Sequence, residues 1–120
     1  HLDTNMLLNK NILVVDDDSR NIFTLSALLQ DVGAEVLTAL NEDQVKELMH
    51  SDEIDIVLID IMLIKYIKVC KIYGNIPIIV MSDKTNSDDE KLCYETGADD
   101  CIYKPIDEEE LIQKIKGRIA

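Results

Sequence analysis

Four apolar runs in this chain each end on a residue that can do chemistry. "NILVV" runs into Asp16, Asp17 and Asp18, "IVLI" into Asp60, "IPIIVM" into Ser82, and "CIY" into Lys104. If the runs are neighbouring strands, a single pocket collects several carboxylates, a hydroxyl and an ammonium. Crowded carboxylates repel one another at low effective dielectric, so such a cluster persists only with a cation to neutralise it. All-oxygen donors favour Mg²⁺, which keeps several of its waters and needs few protein oxygens. Taken singly, each residue has a plainer reading: Asp18 is placed to cap a helix, and Lys104 is one of twelve bases. The coincidence of four strand ends is what favours the chemical reading.

The elements that would position these tips follow from hydrophobic period. Asn11 to Val15 reads as a strand, and Asn21 to Val32 as a helix with Ile22, Phe23, Leu25, Leu28, Leu29 and Val32 on one stripe. Gly33 stands where a left-handed helix cap is needed, and Glu35 to Ala39 is a second strand. Asn41 opens a helix with Gln44 at capping-box spacing and Val45, Leu48 and Met49 on its apolar face. Ile54 to Ile61 and Ile76 to Met81 are apolar as parallel strands buried on both faces are. Asp88 to Thr96 is a polar helix closed by Gly97, and Cys101 to Tyr103 is a short strand before "KP". Asp107 to Ile119 is a last helix: "DEEE" suits the positive end of its dipole, and Leu111, Ile112, Ile115 and Ile119 form its stripe. Strand and helix alternate five times. Right-handed crossovers then give an α/β, doubly wound, five-stranded parallel sheet with ligands at the carboxyl ends of its strands.

Length and charge narrow the function. The 120 residues suit one domain, taken as residues 10–120, with 1–9 set aside as an N-terminal extension or cloning remnant. No apolar run approaches the roughly 18 residues that span a bilayer, and no basic-then-apolar leader opens the chain, so a cytoplasmic location is expected. The net charge of -12 argues against direct contact with nucleic acid or anionic lipid. Cys70, Cys93 and Cys101 are odd in number and lack C-x-x-C spacing, which argues against a disulfide framework or a zinc site.

The segments "ILVVDDDSRN", "IDIVLIDIML", "IPIIVMS" and "TGADDCIYKPI" together resemble the receiver domain of two-component response regulators, in the right order and over nearly the whole chain from Lys10. The "DDDSRN" opening and "KPIDEEEL" ending are most similar to receivers of hybrid sensor histidine kinases. The resemblance implies a flavodoxin-like (βα)5 fold with strand order 2-1-3-4-5. It implies Asp60 as phosphoacceptor and a Mg²⁺ ion held by Asp16, Asp17, Asp60 and the Met62 backbone carbonyl. Ser82 and Lys104 would bind the phosphoryl group, and the bond to Pro105 is a candidate cis peptide. The implied donor is phosphohistidine on a histidine kinase or a histidine phosphotransfer protein. A face made by the fourth helix, fifth strand and fifth helix would switch and would support a homodimer. Such a domain would phosphorylate and dephosphorylate itself without being a turnover enzyme.

Two departures bear on that reading. The family usually carries Tyr or Phe three residues before the lysine, where this chain has Cys101. Tyr103, two residues on and on the same strand face, is the alternative switch residue. Met62 and Lys84 stand where family side chains flank the hydrolytic water and do not obviously position one, so a phosphorylated state that is not short-lived is expected.

Two other classes compete. "DDDS" also fits the opening of haloacid-dehalogenase-like phosphatases, with Asp16 as nucleophile, Asp18 as acid, and Asp99 and Asp100 extending the likeness. A pseudo-receiver, a protein-binding module that has lost phosphorylation, keeps the same fold. Its main support lies after Asp60, where the family pattern D-x-x-[ML]-P-x-x-x-G is cut to "DIML" followed at once by "IKYIKVCKIYGNIP". No turn residue appears until Gly74. Either the loop is absent, or the sequence closes over a gap between Leu63 and Ile64, the favoured expectation. A helical stripe of Ile64, Ile67, Val69 and Ile72 is expected beyond it.

Overall fold

The computed structural model describes residues 4–51, 53–66, 75–83 and 87–119. The apolar runs form the strands β1 (Asn11–Val15), β2 (Glu35–Ala39), β3 (Ile56–Asp60), β4 (Ile78–Ser82) and β5 (Asp100–Tyr103). They pair in parallel as one sheet in the order β2-β1-β3-β4-β5. β3 and β4 are buried at every residue, as strands covered on both faces must be. The covering helices are α1 (Ser19–Gln30), α2 (Glu42–Ser51), α3 (Ser87–Glu95) and α4 (Glu108–Ile119).

Strand alternation splits the core in two. Leu13, Val15, Val57, Ile59, Ile78, Val80 and Cys101 point to one face, where they meet Val45 and Met49 of α2 and Cys93 of α3. Ile12, Val14, Ile56, Leu58, Ile79, Met81 and Ile102 point to the other, against Leu25 and Leu29 of α1 and Leu111, Ile112 and Ile115 of α4. The expected doubly wound sheet is the one found, and its order reverses between β1 and β3.

Local chemistry ends the helices as the sequence suggests. Asp18 caps α1, its carboxylate accepting from the Arg20 N–H at 2.9 Å. Gly33, at φ +95°, closes the other end while the Ala34 N–H returns to the Leu29 carbonyl at 3.1 Å. Before α2, the Gln44 N–H donates to Asn41 Oδ1 at 3.0 Å and Gln44 Oε1 accepts from the Leu40 N–H at 2.7 Å.

Three regions depart from expectation. Phe23 counts into the stripe of α1 but is 77% exposed, while Leu25, Leu29 and Val32 carry the burial. The patternless extension is not idle: Leu7 is buried and its N–H donates to the Val32 carbonyl at 2.9 Å. After β3 the chain forms a 3₁₀ helix, Ile61–Tyr66, with Leu63 off helical geometry at φ −109°, ψ 22°. Leu63 and Ile64 are successive residues of that segment. Most of the stripe expected beyond, Ile67 to Ile72, lies outside the described residues.

The turn needs neither Gly nor Pro because Asp60 makes it. Its Oδ1 accepts from the Met62 N–H two residues on, at 2.8 Å, a side-chain turn that substitutes for a backbone one. A tight 3₁₀ helix then carries the chain off the sheet.

Candidate functional site

Register alone sets the height of each tip. Val15 pairs with Ile59, so Asp16 and Asp60 stand level, one step past that pair. Asp60 pairs with Met81, which puts Ser82 a step higher, and Ser82 pairs with Tyr103, which puts Lys104 higher again. Alternation sets the direction. Asp16, Asp60 and Lys104 continue the face that packs on α1 and α4, whereas Ser82 continues the face of Cys101 and Tyr103.

Asp16 and Asp60 are used alike. Asp16 Oδ1 accepts from the Asp18 N–H at 2.9 Å, as Asp60 Oδ1 does from Met62, and each turn leaves Oδ2 turned to the pocket. Lys104 Nζ donates to Asp60 Oδ2 at 2.6 Å and stands 4.0 Å from Asp16 Oδ2. Asn21 of α1 donates to Asp16 Oδ2 at 3.3 Å. Asp16, Asp60 and Ser82 are the polar or charged side chains buried among the described residues. The tips of β1, β3 and β5 thus meet through Asp16, Asp60 and Lys104, and the Lys104–Pro105 bond is cis. The Lys104 N–H donates to the Ser82 carbonyl at 2.7 Å, joining the last two tips through backbone.

The charges are out of balance. Burial pushes the Asp16 carboxyl above its ordinary 3.8, the Asp18 N–H draws it back, and the negative charge of Asp60 pushes it up again. For Lys104 burial works against the charge, yet the hydrogen bond it donates to Asp60 and the charges of Asp60, Asp16 and Asp83 together hold its pKa above 10.5. In kind, the donors fit a hard divalent cation: oxygens throughout, with one buried carboxyl under repulsion. In placement, Asp16 and Asp60 converge, while Asp17 is exposed beside them. Among the described residues no group of three His, Cys, Asp or Glu is arranged to hold a metal ion.

At the switch position Cys101 is buried and Tyr103 half-buried, in the same core cluster. Burial pushes the Tyr103 phenol up to about 12, with Cys101 the next cause, and burial with a Cys101 contact raises the Cys93 thiol. Both thiols are free. Lys84 lies outside the described residues.

Sequence reasoning missed Asn21 and Asp83, the latter 3.9 Å from Lys104 Nζ. Each had a signal: Asn21 sits one turn into α1 above Asp16, and Asp83 follows Met81 at period two onto the face of Lys104. Asp99 and Asp100 lie at the opposite edge, where Asp99 Oδ2 accepts from the Ile78 N–H at 2.8 Å and Asp100 pairs with Lys114 at 3.0 Å. They cannot join Asp16 in a phosphatase site, which removes their part of the support for that alternative.

Residues 12–116 match the family model of the response regulator receiver domain. The DNA-binding response regulator MtrA of Mycobacterium tuberculosis is 34% identical over 119 residues, which cover 93% of this chain and 51% of the relative. The alkaline phosphatase synthesis transcriptional regulatory protein PhoP of Bacillus subtilis is 32% identical over 115 residues, 91% of this chain and 48% of the relative. The chain spans about half the length of these curated relatives. A response regulator from Thermotoga maritima superposes with a TM-score of 0.83 at 23% identity, covering 93% of this chain and 98% of that one. The receiver domain of sensor histidine kinase PA1611 from Pseudomonas aeruginosa, with a magnesium ion coordinated in its active site cleft, gives a TM-score of 0.80 at 23% identity over 92% and 98%. At those identities the solved structures establish the fold.

Proposed function

This chain belongs to the response regulator receiver domain family of two-component systems, and we propose that it takes a phosphoryl group onto Asp60 from a phosphohistidine. The observation that carries this reading is the convergence of buried Asp60 and Asp16 on Lys104, with Asp60 Oδ2 held 2.6 Å from the ammonium. In-line transfer needs a nucleophile and neutralisation of the equatorial oxygens. Asp60 Oδ2 forms the new O–P bond as the P–N bond breaks and its electron pair leaves with the imidazole. Lys104 moves from the carboxylate oxygen to a phosphoryl oxygen, and Ser82 supplies a hydroxyl to another.

Asp16, Asp17, Asp60 and the Met62 carbonyl are the oxygens that would hold Mg²⁺. That ion supplies the charge neutralisation that one lysine cannot provide alone. Drawing Ser82 toward the product shifts the sheet face it shares with Cys101 and Tyr103, and Tyr103 carries the change to the surface of α3, β5 and α4. That surface is the proposed homodimer face. A histidine kinase or histidine phosphotransfer protein is the proposed partner, in the cytoplasm. No helix among the described residues is long and apolar enough to cross a membrane. DNA binding is a property in the names of the curated relatives, and the net charge of -12 supports no such contact by this chain.

The test is phosphorylation of the purified chain by a small acyl phosphate with Mg²⁺, the site mapped by borohydride trapping of the acyl phosphate. Modification at Asp60, abolished by Asp60→Asn, is expected and should decay over minutes or longer. Modification at Asp16 instead, or none together with no binding of beryllofluoride, would overturn the proposal.

A further inference from the structure

Lys104 is shared among three carboxylates. Its Nζ stands 2.6 Å from Asp60, 4.0 Å from Asp16 and 3.9 Å from Asp83. The first two are buried and belong to the site already described, whereas the Asp83 side chain is 73% exposed at the mouth. Asp83 directly follows β4, and counting by two from Met81 puts it on the face of Lys104.

One ammonium cannot neutralise three carboxylates, and an added negative charge beside it acts on the two ligands of the site with opposite signs. It favours a divalent cation. It opposes an arriving phosphoryl group, both by repulsion and by holding the ammonium that must follow that group. We propose that Asp83 is a charge-setting positioning residue of this site, tightening its hold on the divalent cation and weakening its hold on the phosphoryl anion. This rests on the phosphoacceptor reading of Asp60.

Two measurements on the whole chain test it, with Asp83→Asn, Asp83→Glu and the unaltered protein. Mg²⁺ alone is titrated by amide chemical shifts, and beryllofluoride is then titrated at saturating Mg²⁺. An exposed unit charge at contact distance changes such affinities by roughly two- to fivefold. Asp83→Asn is expected to weaken Mg²⁺ by that factor and tighten beryllofluoride by a similar one, while Asp83→Glu stays close to the unaltered protein. Both differences should shrink near 1 M salt, where the screening length falls to about 3 Å. A loss of affinity for both ligands, no change in either, or a change that survives high salt would overturn the role of Asp83. The unaltered protein reports separately on the parent reading: binding of beryllofluoride upholds it, and failure to bind sinks both.

Discussion

The two edges of the sheet use the same residue for opposite ends. At the amino edge, Asp55 Oδ2 accepts from the Asn11 N–H at 2.7 Å and Asp99 Oδ2 from the Ile78 N–H at 2.8 Å. Each aspartate lies just before one strand and holds the first amide of the next, satisfying a donor that the ladder leaves unpaired. Asp100 beside them meets Lys114 at 3.0 Å, with Arg118 4.0 Å away. At the carboxyl edge, Asp16 and Asp60 each spend one oxygen on a turn and leave the other facing a neighbour of like charge across a single lysine. Carboxylates at the first edge are matched by donors, and those at the second are left short of positive charge. The surplus is what the proposed chemistry at the second edge would use.

If that contrast is right, substitution should move stability in opposite directions at the two edges. The larger effect belongs to the amino edge. Asp55→Ala or Asp99→Ala strands a backbone N–H at a strand start, and each should lower unfolding stability by about 1–3 kcal/mol, read from urea denaturation. An effect near zero at both sites would mean that water replaces the carboxylate freely and the edges differ less than their geometry suggests. Asp16→Asn should instead raise stability in the absence of divalent cations, by about 1 kcal/mol, because it removes a buried charge repelled by Asp60. The amide oxygen can still accept from the Asp18 N–H, and the Asn21 amide need only flip. Loss of stability on this change would erase the contrast.

How much of this was legible follows the same physics. Four of the five strands could be read because each is an apolar run ending on a polar residue, and central parallel strands tolerate little else, whereas the strand order came from the family resemblance. The site residues were legible for the same reason, as the polar ends of those runs. Phe23 was misassigned because α1 has more apolar residues than its buried stripe needs, and period alone does not say which is left outside. Leu7 was missed because six residues of turn have no period to read. The hold of Asp55 and Asp99 on neighbouring strand starts was not legible, because one acid before a strand looks like any solubilising charge until the neighbouring strand's register is known. The missing turn after Asp60 was read as an absent loop or a gap in the sequence, and the carboxylate's own capacity to turn the chain went unnoticed. Asp83 was passed over as loop, although counting by two from Met81 would have found it.

The smallest effect is also the sharpest probe of the surplus, because it isolates one carboxyl. The native pKa of Asp16 lies above its ordinary 3.8, raised first by burial and then by Asp60. Between 3.8 and that raised value the native state binds more protons than the unfolded chain. The fold therefore gains stability from this group as pH falls through the window and loses it as pH rises out of it. Above the raised value the whole cost of the charge is present. The advantage of Asp16→Asn over the unaltered protein should accordingly be full at neutral pH and narrow steadily as the pH is lowered toward 3.8, measured by urea denaturation at each pH without divalent cations. An advantage that stays constant with pH would come from packing or hydrogen bonding, and the carboxyl edge would then be short of charge in appearance alone. Added Mg²⁺ should close the gap from the other side, stabilising the unaltered protein more than the variant, since binding to the native state alone adds stability as the logarithm of one plus the ratio of free ion to Kd.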